Sequence, residues 1–119
     1  MLAVCGATNP DTLDLLGSGL APNKPGLFFE GTGTVGGGNG MAFGDGLRCA
    51  GGSISRIGLR TANASGEIHW GPSFGNPLVS TRTGAVPGDG RTYQLWYRDP
   101  SGGPCSSGFN LTNAVRVNW

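Results

Sequence analysis

Along residues 91–99, "RTYQLWYRD", apolar and polar positions alternate: Tyr93, Leu95 and Tyr97 fall on one side, Thr92, Gln94, Trp96 and Arg98 on the other. A period of two marks a strand whose faces meet different surroundings. The closing run "NAVRVNW" repeats the pattern, with Val115, Val117 and Trp119 set against Arg116 and Asn118. Four more short runs, "TLDLLGSGL" (12–20), "GLFFEG" (26–31), "SISRIGLR" (53–60) and "GEIHW" (66–70), are bounded by turn-forming residues and read as strands. In "SISRIGLR", Ile54 is out of phase with Ile57 and Leu59, and a bulge near Gly58 restores the register.

Gly or Pro interrupts nearly every window long enough for a helix, and each interior Gly costs about 1 kcal/mol relative to Ala. The pattern therefore predicts an all-β fold with almost no helix: a single antiparallel β-sandwich over 1–119, jelly-roll or Ig-like, of about seven strands. Residues 1–11 read as an irregular N-terminal segment. The stretches 31–40 and 71–90 read as long loops, where binding usually resides.

Composition sharpens this picture. The chain has 119 residues with 24 Gly and 8 Pro, and only 13% are charged, about half the usual share. Net charge is +1, and the basic residues are scattered. Such a surface lacks the clustered cations that bind nucleic acid. No apolar run approaches the roughly 18 residues of a membrane span. Lys24 is the sole lysine, so Ser, Thr, Asn and backbone carry the solubility, a style that favours an extracellular or cell-surface location. The start, "MLAVCGATNP", lacks the basic region and apolar length of a secretory signal, which fits either another route or an excised portion of a longer chain.

Candidate chemistry is sparse. "GTGTVG" (31–36) matches the dinucleotide glycine pattern, but "GGNGMAFGDG" beyond it cannot form the helix that pyrophosphate binding requires. Cys5, Cys49 and Cys105 show no paired metal-ligand spacing. Cys49 and Cys105 each lie in a turn-rich segment beside a strand and are the favoured disulfide, leaving Cys5 free or bonded to another chain; closing that loop is worth roughly 3 to 5 kcal/mol. His69 is the only histidine, with Glu67 on the same side of its strand; together with an aspartate such as Asp99 they are the candidates for a small metal-dependent hydrolase. No nucleophile elbow or second histidine supports that reading. Asp45 and Asp89 lie in two "GDG" turns, which is the basis of a calcium-binding alternative. Trp96, Tyr97, Arg98 and Asp99 form the candidate ligand patch, because an aromatic ring beside polar groups suits stacking against a glycan.

The motifs "GLRCAGG", "WYRDP" and "GFNLTNAVRV", in this order within residues 12–119, resemble a module at the C-terminal end of large exported proteins of planctomycete-type and related bacteria. The resemblance implies a secreted all-β module following other domains, with no activity and no catalytic residues to carry over. "LRCAGG" and "GGPC" in this chain suit the Cys49–Cys105 pairing. Such modules have a further strand ahead of the stretch like "TLDLLGSGL". Its absence would leave an open sheet edge, completed by a second copy or another chain. The expectation is a non-catalytic module with a binding or assembly role and no cofactor, whose partner is a second copy, another chain or a glycan.

Overall fold

The computed structural model describes residues 1–100 and 107–119, and these are predominantly β. Ten strands are present among the described residues: β1 (Leu2–Cys5), β2 (Asp14–Gly17), β3 (Pro25–Thr34), β4 (Met41–Phe43), β5 (Gly46–Arg48), β6 (Ala50–Thr61), β7 (Ile68–Trp70), β8 (Gly90–Arg98), β9 (Phe109–Leu111) and β10 (Val115–Asn118). One sheet has the order β1-β2-β7, and a larger one runs β10-β8-β3-β6 with β9 also pairing β8. All of these pairings are antiparallel, including the separate β4–β5 hairpin.

The alternation in β8 assigns the two faces of the larger sheet. Tyr93 and Leu95 join Phe28, Ile57 and Val117 on its inner face, where they meet Leu2, Leu15, Ile68 and Trp70 of the smaller sheet in one core. The bulge expected near Gly58 is there: Phe28 pairs with Gly58 but Phe29 with Arg56, so Ile57 is the extra residue. Ile57 is buried as a result, whereas Ile54 and Leu59 are exposed. Gly58 lies beneath the Trp70 ring, where any Cβ would overlap it.

Two expectations are corrected. Residues 1–11 are not irregular throughout, because β1 pairs residue by residue with β2. Its outer edge is partly closed: the Asn113 side chain accepts from the Leu2 N–H (2.8 Å) and donates to the Leu2 carbonyl (3.0 Å), as a neighbouring strand would. The loop 71–90 also holds a one-turn helix, α1 (Val79–Thr83). It forms because Val79 is drawn into the core and Asp11 Oδ2 accepts from the Ser80 N–H at its start (3.0 Å). Gly84, in the left-handed conformation, ends it.

Candidate functional site

The outer face of the larger sheet carries a second apolar cluster. Phe29, from β3, packs there with Ala50 and Leu111, and Trp96 lies against them half-buried. From Trp96 an aromatic ladder leads outward: its ring meets Phe109 edge-on at 5.6 Å, and Phe109 meets Phe43 of the hairpin at 5.5 Å. Such edge-to-face pairs add about 0.5–1.5 kcal/mol beyond burial. Arg48 stands over Phe43 at 5.9 Å.

A fully buried glutamine holds the hairpin in place. Gln94 Oε1 accepts from the N–H groups of Cys49 (3.0 Å) and Ala50 (3.3 Å), while its Nε2 donates to the carbonyls of Leu47 (2.8 Å) and Thr112 (2.7 Å). All four bonding positions of the amide are thereby used. The Gln94 amide anchors this segment. The hairpin turn is Gly44–Asp45 with Gly first, and Gly44 is required twice over: its φ is +62°, and a Cβ there would strike the Phe109 ring.

Between hairpin and sheet lies a cleft of about 270 Å³ lined by Leu27, Phe29, Phe43, Arg48, Ile54, Arg56 and Trp96. A smaller hollow of about 150 Å³ adjoins it across Leu27 and Trp96, bounded by Leu59 and Arg98. The linings contain three arginines and no carboxylate. The ion pairs among the described residues both belong to Arg91, so Arg48, Arg56 and Arg98 have no carboxylate partner there. Trp96 Nε1 and Arg48 Nε are buried without a hydrogen-bond acceptor.

The sequence-predicted ligand patch is thus split. Trp96 and Arg98 line the outer hollows, whereas Tyr97 packs against the main core from the other face. Burial, aided by the charge of Asp99, raises the Tyr97 phenol above its ordinary pKa. Asp99 ties its own N–H to the Gly108 carbonyl. Phe29, Phe43, Arg48, Ile54 and Arg56 were not singled out, because they come from three separate stretches that only the β3–β6 and β4–β5 pairings bring together. The short run "MAF" carries no alternation to mark it as a strand.

The remaining candidates are dispersed. His69 projects from β7 and stacks on Phe74 (4.7 Å), with Nδ1 buried and unbonded. Glu67 accepts weakly from the Asn63 amide (3.5 Å). Asp45 accepts from the Ser107 hydroxyl (2.7 Å). Asp89 takes hydrogen bonds from Arg91 and the Val86 N–H, and the Arg91 bond holds its carboxyl below the usual carboxylate range. Among the described residues no three His, Cys, Asp or Glu side chains are grouped as a metal site. Among the described residues Cys5 and Cys49 are unpaired and form no disulfide; Cys105, the expected partner of Cys49, lies outside them. No described helix is long and apolar enough to cross a membrane.

Comparison with protein-family models, with curated proteins and with solved structures finds no match.

Proposed function

We propose that the chain is a non-catalytic β-sandwich module of the cell exterior whose outer sheet face is a recognition surface. The observation that carries this reading is the cleft beside Trp96, where an aromatic ladder and three uncompensated arginines converge. Its walls expose apolar side chains: Phe43 is 40% exposed, Ile54 44% and Leu59 61%. A soluble domain exposes so much clustered apolar surface where something else covers it. The hydrolase reading draws less support, because His69 faces Phe74 while Glu67 is engaged with Asn63. In the proposed oxidising setting Cys49 pairs with Cys105, so intact protein should titrate one thiol without reductant and three with it.

The test is a parallel screen of wild type and Trp96→Ala against a glycan array and a displayed library of random peptides. Binding by wild type that is lost in the variant, with unchanged far-ultraviolet dichroism, is the expected result. Binding that survives the substitution, or no binding in either screen, overturns the reading.

A further inference from the structure

Resting on that reading, we infer that the occupant of the outer face is an acidic polypeptide segment, laid across the sheet with an apolar side chain seated in the cleft lined by Phe29, Phe43, Ile54 and Trp96. Four observations converge on it. The two linings are built from Phe, Trp, Leu, Ile, Arg, Pro and Gly, with no Lys, Asp or Glu. Aromatic residues, Met and Arg are the types enriched at protein interfaces, and Lys, Asp and Glu are the types depleted there. Individually the hollows, about 270 and 150 Å³, fall below the roughly 300–1,000 Å³ of a typical small-molecule site. They suit side chains presented in sequence.

Charge then selects among polypeptides. Arg48 and Arg56 border the larger hollow and Arg98 the smaller, all without a carboxylate partner among the described residues. An occupant with carboxylates on either side of its apolar anchor satisfies them. A second copy applied through the same face by two-fold symmetry would instead set arginines against arginines. Strand addition to β6 is also disfavoured. Although β6 is an edge strand, register shifts on both sides of Ile54–Arg56 interrupt it, and bulges are a standard protection of edges. The segment therefore crosses β6 and β3 towards β8.

The experiment pans a phage-displayed library of random twelve-residue peptides over immobilised full-length protein. Enriched peptides are then synthesised with a fluorescent label for anisotropy titrations. Enrichment of a large apolar residue flanked by Asp or Glu is expected, with affinity falling about tenfold or more in the Arg56→Glu/Arg98→Glu variant, as for loss of interface anchors. These arginines are exposed, so the variant separates loss of binding from loss of fold. Affinity should also fall as salt is raised. Peptides without acidic residues, or binding indifferent to the charge reversal, overturn the inference. Two further outcomes overturn it while leaving the recognition surface standing: binding of glycans alone that depends on Trp96, or a concentration-dependent dimer in light scattering that Trp96→Ala abolishes.

Discussion

Gly58 has no side chain, and for that reason the Trp70 indole can pack close to the backbone of β6. Arg60 covers the other parts of that ring at 4.5 Å and Arg82 at 5.5 Å, and Trp70 Nε1 donates to the Pro77 carbonyl (3.2 Å). Gly58→Ala is expected to cost about 1–3 kcal/mol by overpacking, read from urea denaturation. A second residue-level device is Glu30, fully buried, whose Oε1 accepts from Arg91 (2.6 Å) while Arg91 also reaches Asp89 (2.8 Å). Arg91→Ala leaves that carboxylate uncompensated, with an expected loss of about 3–5 kcal/mol. Burial, together with the negative charge of Glu30, pushes the nearby Tyr93 phenol well above its ordinary value. A pKa raised on folding gives stability that is complete below the unfolded value, near 10, and lost as pH rises towards the folded one. Stability should therefore decline above about pH 10, and Tyr93→Phe should flatten that decline even if it lowers stability at neutral pH through the lost bond from Trp119 Nε1 (2.9 Å).

At the scale of elements, what was legible in the sequence tracks how local the causes are. The alternation in β8 assigned both of its faces, because a period of two needs no partner to be read. The mismatch of Ile54 with Ile57 located the bulge, although the neighbours of Leu59 left it exposed. β1 and α1 were not legible, since each depends on a distant side chain: Asn113 for β1 and Asp11 for α1. The β4–β5 hairpin is the clearest case. Three residues a side cannot stand alone as a hairpin in water, and its stability comes from Gln94, more than forty residues on. Gln94 sits on the polar side of the β8 alternation, and nothing local marks it as the buried clamp it is. Gln94→Leu orphans the four backbone groups it serves. The amides of Cys49 and Ala50, just past the hairpin, should then exchange with solvent at least tenfold faster, a difference of about 1.4 kcal/mol in local opening.

At the scale of the molecule, the two faces of the larger sheet have divided roles. The inner face meets the small sheet through Phe28, Leu95 and Trp70 and carries the fold. Outside, the hairpin and β9 leave Trp96 half-buried, and the arginines rim what stays open. Of the eight basic side chains in a chain of net charge +1, three border one pair of hollows that no carboxylate lines. Amide hydrogen exchange with and without a panned acidic peptide tests that division most directly. The account predicts slowed exchange confined to residues 27–29, 41–48, 54–56 and 96–98, and slowed exchange centred instead on β1, β2 and β7 around His69 would contradict it.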